Sequence, residues 1–304
     1  MMRTAPSRRG LTLLELLLVV FILSAIALTA VTLTDQADEQ FRYEDTKTRL
    51  VLLREATIGR PADGTAGFVA DCGRLPDSLA ELLEIGTLAP FAYDPPVGLS
   101  AGWRGPYLPV LPDGDGTRSF PDGWGNDWLA FAADRNAGTL SVTSAGSDGL
   151  PGGTDYAADY PPSGFLVTTY DHEVDLRPWQ VRVVFQNPSG SPVDPGTVRL
   201  RLHYPRDGTF AWPVVWPPTE AERDALPWLS EEKAVGTVGP GGTASVVFRF
   251  ETGAPKRVPW GERSLVVVDD STGARIPGDG PRLVRLLPRA ALPALDDMAW
   301  VLPR

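Results

Sequence analysis

The sequence has little of what most catalytic sites require. It contains one cysteine, Cys72, and two histidines, so no disulfide can form within the chain, and neither histidine has the spacing of a zinc site or a catalytic triad. It also lacks a Walker loop, a dinucleotide-binding fingerprint and a Gly-x-Ser-x-Gly motif. These absences predict that the protein is not an enzyme. Cys72 lies among apolar residues and is predicted to be buried.

A basic surface is also lacking. The net charge is −10 and no stripe of basic and aromatic residues occurs, which argues against nucleic acid as a partner. Glycine and proline, with 31 and 30 residues, favour many turns. The 304 residues exceed what one compact domain of typical size requires.

One long apolar run stands out, at residues 11–34. Glu15 is its only formally charged side chain, and as a helix it would cover roughly 30 Å of hydrocarbon. The run therefore predicts a transmembrane helix. A charged carboxylate inside a bilayer is unfavourable in free energy, so Glu15 is expected to pair with another group. Residues 35–60 keep helical spacing and are predicted to continue this helix outside the bilayer.

The charges that flank this run predict its orientation. Basic residues precede it and acidic residues follow it, so the positive-inside rule places the amino terminus in the cytoplasm and the rest of the chain outside. The basic residues are Arg3, Arg8 and Arg9, and the acidic residues are Asp35, Asp38 and Glu39.

Gly10, Leu11 and Glu15 together resemble the prepilin motif of type IV pilins and type II secretion pseudopilins. The resemblance implies that a prepilin peptidase removes residues 1–10, cleaving between Gly10 and Leu11 and methylating the new amino terminus. It also implies that Glu15, at the fifth mature position, supports assembly with other pilins or pseudopilins. In low dielectric, its carboxylate would pair with the amino terminus of a neighbouring subunit. The implied location is the bacterial inner membrane, with the carboxy-terminal part in the periplasm or in a filament.

Residues 61–168 are predicted to form a first soluble domain. A short helix follows Pro76, and strands at residues 128–132 and 139–143 are predicted to pair through a turn. Together with Gly-Pro-Tyr-Leu at residues 105–108, this order resembles the α/β head of the major pseudopilins.

Residues 144–160 are rich in glycine, serine and aspartate. Glycines allow tight turns, and aspartates at short intervals give the flexible, oxygen-rich arrangement that Ca²⁺ accepts. The stretch resembles the calcium loop of major pseudopilins, which implies a structural Ca²⁺; a solvated turn without metal is the alternative. The implied ligands are the carboxylates of Asp148, Asp155 and Asp159, with carbonyls near Ser144 and Ser147.

Residues 169–304 alternate between apolar and polar side chains in several short runs. Strands at this spacing with little helix predict an all-β sandwich of the immunoglobulin or transthyretin-like kind. A proline-rich insertion at residues 210–229 carries Trp212, Trp216 and Trp228. These tryptophans are predicted either to plug the sandwich or to form an exposed recognition loop.

The predicted fold class is therefore α+β: a long amino-terminal transmembrane helix stalk, a pseudopilin-like α/β head, and an all-β sandwich. The predicted function is a pseudopilin or minor pilin-like structural subunit of a type II secretion system or a type IV pilus-like filament, nearer the tip than the shaft. The alternative is a membrane-anchored module whose carboxy-terminal domain binds a secreted substrate or a cell-surface ligand. The predicted segments are a leader (1–10), the transmembrane helix (11–34), the rest of the stalk (35–60), the head (61–168) and the sandwich (169–304).

Overall fold

The computed structural model describes residues 13–210, 229–250, 257–290, 292 and 295–304, without the side chains of residues 30–33 and 35. Up to residue 172 the elements are mostly short. They are α1 (Leu13–Ile58), α2 (Phe68–Cys72), α3 (Ala80–Leu83), β1 (Ala92–Asp94), β2 (Leu99–Ala101), β3 (Ala130–Asp134), β4 (Thr139–Thr143), a 3₁₀ turn (Asp155–Ala157) and α4 (Thr169–His172).

Strands dominate after residue 172. They are β5 (Glu173–Asp175), β6 (Gln180–Gln186), β7 (Thr197–His203), β8 (Lys233–Ala234), β9 (Thr243–Arg249), β10 (Arg257–Pro259), β11 (Gly261–Asp269), β12 (Arg282–Leu286) and β13 (Asp296–Val301).

Helix α1 runs for 46 residues because neither glycine nor proline interrupts it. It ends before Gly59, whose φ of +71° is a left-handed conformation that suits glycine. Along its carboxy-terminal half, Leu53 and Ile58 are buried against the rest of the chain. The outer side of this half carries ion pairs four residues apart, such as Arg42 with Asp38 at 2.9 Å.

The head, residues 61–168, contains two short α-helices, the 3₁₀ turn and two hairpins. Helix α2 ends at Gly73, which has a left-handed φ of +78° and donates its N–H to the carbonyl of Val69. The β1–β2 and β3–β4 pairs are antiparallel. The predicted pairing of the second hairpin is confirmed, with Ala130 opposite Thr143.

Two sheets build most of residues 173–304, which we call the β part. One sheet has the antiparallel order β12-β11-β7-β8, and the other has the order β13-β6-β9 with β13 parallel to β6. Alternate side chains of β6, namely Val181, Val183 and Phe185, are fully buried, as expected for a strand with one face on a core. β5 and β10 form a separate pair.

The head and the β part share one hydrophobic core. Buried side chains of α1 and α2 belong to the same cluster as those of β6, β7 and β11. Hydrogen bonds also link the β part to the rest of the chain. Ser264 Oγ donates to the carbonyl of Val97 in the head at 2.7 Å, and the indole N–H of Trp260 donates to the carbonyl of Ile58 at the end of α1 at 2.8 Å.

The predicted α+β fold class is wrong, because the chain is mainly β, with 30% strand and 22% helix. Among the described residues, four of the five helices have only three to five residues. Glycine and proline bracket these segments, as with α3 between Pro76 and Gly86, and this keeps the helices short. The predicted immunoglobulin or transthyretin-like sandwich is replaced by the two sheets above, one of which is mixed.

The prediction of a transmembrane helix stalk is wrong as well. Within the described ranges, no helix has both the length and the apolar character that crossing a membrane requires.

Candidate functional site

Helix α1 presents two different surfaces along its length. At residues 13–28, which we call the exposed apolar segment, the large side chains face outwards: Leu13 is 83% exposed, Phe21 70% and Leu28 69%. At Leu53 the exposed fraction is 0%. A helix segment that is apolar all round is a candidate contact surface.

Glu15 lies within the exposed apolar segment. It occupies the first turn of α1, where a carboxylate is favoured by the positive end of the helix dipole. Its side chain is exposed and already engages another group of the chain. The other two residues of the predicted processing site, Gly10 and Leu11, lie outside the described residues.

The loop at residues 144–160 packs against the middle of α1. The hydroxyl of Tyr156 donates to Gln40 Oε1 at 2.6 Å. The ring of Tyr43 makes edge contacts with the rings of Tyr156 and Tyr160, with centroids 5.8 and 5.1 Å apart. The ammonium of Lys47 lies 4.2 Å from the centroid of Tyr43 on the same surface. These contacts fix the position of the loop on the helix.

A buried carboxylate, Asp122, holds the base of this loop. Its Oδ2 accepts a hydrogen bond from Ser144 Oγ at 2.5 Å, and its Oδ1 accepts from the backbone N–H groups of Trp124 and Asn126. The side chain of Asn126 then donates to the carbonyl of Gly146 at 2.9 Å. One carboxylate therefore ties the turn at residues 122–126 to the start of the loop.

The same turn touches α1 directly through Gly123. Its N–H donates to Thr46 Oγ1 at 3.1 Å. A Cβ atom at this position would lie 2.2 Å from the carbonyl oxygen of Arg42 and 2.6 Å from the N atom of Thr46. Only a residue without a side chain allows this approach of backbone to backbone.

The three predicted calcium carboxylates are placed differently from one another. Asp148 Oδ1 accepts from the N–H of Leu150, and Asp159 Oδ1 accepts from the N–H of Gly152, both at 3.0 Å. Asp155 starts the 3₁₀ turn with a φ of +52°. Two of the three carboxylates thus close the loop onto its own backbone, in the manner of aspartate turns.

The two predicted carbonyl positions also have roles within the chain. The N–H of Ser147 donates to the carbonyl of Tyr156 at 2.8 Å, and the carbonyl of Ser144 accepts from the N–H of Tyr160 at 2.9 Å. In the part of the chain that the structure describes, no group of three or more His, Cys, Asp or Glu side chains is placed to hold a metal ion. The structural calcium ion therefore stays a prediction.

Asp171 is a buried charged residue that the sequence reasoning missed. It accepts hydrogen bonds from the N–H and the hydroxyl of Thr168, and it pairs with Arg54 of α1 and with Arg289. Burial opposes its ionisation, but these hydrogen bonds and charges prevail and lower its pKa. The Thr-x-x-Asp spacing at residues 168–171 is a capping box and could have been recognised.

Two further predictions concern Cys72 and the tryptophans of the proline-rich insertion. Cys72 is fully buried, as predicted, and burial raises the pKa of its thiol to about 12, which makes it unreactive. The predicted recognition loop or plug, with Trp212, Trp216 and Trp228, lies outside the described residues.

Comparison with known proteins gives no relative: no protein-family model, no curated protein and no solved structure matches the chain.

Proposed function

We propose that the protein is a pseudopilin-like or minor pilin-like structural subunit of a type II secretion system or a type IV pilus-like filament. A prepilin peptidase would process it between Gly10 and Leu11. The observation that carries the proposal is the exposed apolar segment of α1, which begins two residues after Leu11 and includes Glu15 of the prepilin-like motif. A structural subunit that polymerises through a helix requires a surface of this kind.

The two halves of α1 have different surroundings, which supports the proposal. In the carboxy-terminal half, Leu53 and Ile58 are buried against the rest of the chain, and the loop at residues 144–160 contacts Gln40 and Tyr43. The exposed apolar segment is left for neighbouring subunits. Burial of one large aliphatic or aromatic side chain contributes about 1.5–3 kcal/mol, so even part of this segment would stabilise a filament.

A minor or tip position fits the protein better than the main shaft. The β part adds more residues than the head itself contains, and both pack into one core. A subunit this large would crowd its neighbours if it were repeated at every position of a densely packed filament. Purified filaments are therefore expected to contain few copies of this chain, and a copy number typical of the shaft would contradict this part of the proposal.

The processing step tests the proposal. The full chain is expressed with and without an active prepilin peptidase, and its intact mass and amino-terminal sequence are determined. With the peptidase, the chain should begin at a methylated Leu11; a Gly10→Val variant should keep its leader and serves as the matched control. An unprocessed amino terminus in the wild-type chain, with the peptidase active on a known substrate, would contradict the proposal.

The remaining functional predictions stand beside this proposal. They are the inner-membrane location with a cytoplasmic amino terminus, the absence of enzymatic activity and of nucleic-acid partners, and the structural calcium ion. The alternative is an anchored module whose carboxy-terminal domain binds a secreted substrate or a cell-surface ligand. Exposure of Trp212, Trp216 and Trp228 would favour it, and these residues lie outside the described ones.

A further inference from the structure

A cavity of about 710 Å³ lies between the head and the β part. The β1–β2 hairpin and α2 form one side, and β11 and β12 form the other. Its volume falls within the range of roughly 300–1,000 Å³ that small-molecule and cofactor sites occupy. We call it the arginine pocket, because Arg104, Arg263 and Arg285 all line it.

The arginine pocket has an excess of positive charge. Its three arginines face two carboxylates, Asp71 and Glu262. This balance is opposite in sign to that of the whole chain, whose net charge is −10. A concave site of one sign concentrates ligands of the other sign, so the pocket favours an anion.

Arg263 is the fixed source of this positive charge. It is fully buried, and its guanidinium donates to the carbonyl oxygens of Pro259, Trp260, Glu262 and Ala70. Carbonyl oxygens satisfy its N–H groups without neutralising its charge. Burial lowers the pKa of Arg263 to about 9, which still leaves the group charged at neutral pH.

The charge of Asp71 is already matched within the pocket. Arg104 donates from Nε to Asp71 Oδ2 at 3.1 Å and places Nη2 3.1 Å from Oδ1. The hydroxyl of Tyr107 donates to the same carboxylate at 3.1 Å. Asp71 therefore does little to cancel the positive potential that Arg263 and Arg285 create.

Arg285 differs from the other two arginines. Its side chain is exposed, and within the described ranges it has neither an ion pair nor a hydrogen bond. It stands opposite Glu262 in the register of β11 and β12. Its guanidinium lies close to Gly64, where a Cβ atom would come within 1.9 Å of Nη2. The planar guanidinium of Arg285 can therefore donate two hydrogen bonds to the carboxylate of a ligand in the pocket.

Apolar side chains line the pocket beside these charges. Phe91, Tyr93 and Leu283 are all exposed large hydrophobic residues. The guanidinium carbon of Arg104 lies 4.9 Å from the centroid of the Phe91 ring, so a charged and an apolar surface meet within the cavity. A ligand that fits both surfaces carries an anionic group next to an apolar one.

We infer that the arginine pocket binds a ligand with a carboxylate next to an apolar group. Arg285 receives the carboxylate, and Phe91, Tyr93 and Leu283 cover the apolar group. The source is either a free carboxylic acid or the carboxylate of a peptide. This inference does not depend on processing at Gly10 or on filament assembly.

Calorimetric titration of the full chain in non-ionic detergent tests the inference. The probes are acetyl-Phe-Glu with its carboxy terminus amidated, so that it carries one carboxylate, its uncharged analogue acetyl-Phe-Gln-amide, and phenylacetate. Acetyl-Phe-Glu should bind, and the uncharged analogue should bind at least about tenfold more weakly, as expected for loss of a charged hydrogen bond. Phenylacetate binding as tightly as the peptide identifies a free acid as the source, and tighter peptide binding identifies a peptide.

Three substitutions on β12 separate the pocket from general charge effects. Arg285→Gln should weaken binding of acetyl-Phe-Glu about tenfold, whereas Arg282→Gln makes the same charge change at a position that does not line the cavity and should leave binding unchanged. Arg285→Lys keeps the charge and should bind with intermediate affinity. The melting temperature of each variant is measured as a check on folding. Failure of acetyl-Phe-Glu and phenylacetate to bind the wild-type chain, or equal affinity of the Arg285→Gln variant, would overturn the inference.

Discussion

At the scale of single residues, Gly123 shows how closely the head approaches α1. A Cβ atom there would meet two backbone atoms of the helix, and backbone cannot move aside as a flexible side chain can. We expect Gly123→Ala to lower the free energy of unfolding by about 1–3 kcal/mol, the usual cost of overpacking. Urea denaturation of the two proteins measures this difference.

Gly114→Ala is the matched control for this substitution. A Cβ atom at Gly114 meets no atom within 4 Å, so the stability should stay within about 0.5 kcal/mol of the wild type. Equal stability of the Gly123 and Gly114 variants would show that the turn does not press on the helix. The sequence alone could not have predicted this role, because nothing local to residues 122–126 reveals that α1 passes over them.

At the scale of elements, the exposed apolar segment of α1 is the surface to test for assembly. Leu17 is 65% exposed within it, and Val51 is 56% exposed on the part of the same helix that the head holds. Leu17→Ser should weaken self-association of the processed chain by more than tenfold, since loss of one buried aliphatic side chain costs about 2 kcal/mol. Sedimentation of filaments as a function of protein concentration measures the change.

Val51→Ser provides the comparison within the same helix. It removes a similar exposed side chain outside the exposed apolar segment, so self-association should change little. If both variants assembled like the wild type, α1 would not carry the filament contacts that the proposed function requires. Weakening by Val51→Ser alone would place the contacts on the other half of the helix.

Helices and strands with a clear local sequence pattern could be predicted, and those without one could not. The β3–β4 hairpin has turn residues and β-forming residues in sequence, and its pairing was predicted correctly. β1, β5 and β10 have three residues each, too few to show an alternating pattern. The parallel pairing of β13 with β6 joins positions more than 100 residues apart, a contact that no local pattern encodes.

The loop at residues 144–160 shows a different limit of sequence reasoning. Aspartates between glycines are typical of calcium loops, but aspartate also closes tight turns by accepting backbone N–H groups. Asp148 and Asp159 both close turns in this way. Because the composition is the same for both roles, the sequence alone does not distinguish a turn from a calcium loop.

At the scale of the whole molecule, Asp171 joins elements that are distant in sequence. It links α1 through Arg54 to α4, and it links α4 to the segment after β12 through Arg289. Its carboxylate is stabilised in the folded chain, so its pKa lies below the ordinary aspartate value. A carboxylate whose pKa is lowered by folding stabilises the folded state at pH values above its unfolded-state pKa. This stabilisation is lost as the pH falls through the folded-state pKa.

The stability of the wild-type chain should therefore fall as the pH drops below about 4, the ordinary value for aspartate, and part of this fall should be absent in Asp171→Asn. At neutral pH we expect this variant to be about 1.5–3 kcal/mol less stable, the range for hydrogen bonds to charged groups. Urea denaturation between pH 7 and about pH 3 measures both effects, because the difference between the two proteins isolates Asp171 from the other acids that titrate in this window.

Asp38→Asn is the control. It removes an exposed ion pair on α1 and should lower the free energy of unfolding by less than about 1 kcal/mol. A constant difference between wild type and Asp171→Asn across this pH range would show that the link acts through shape and packing instead of charge.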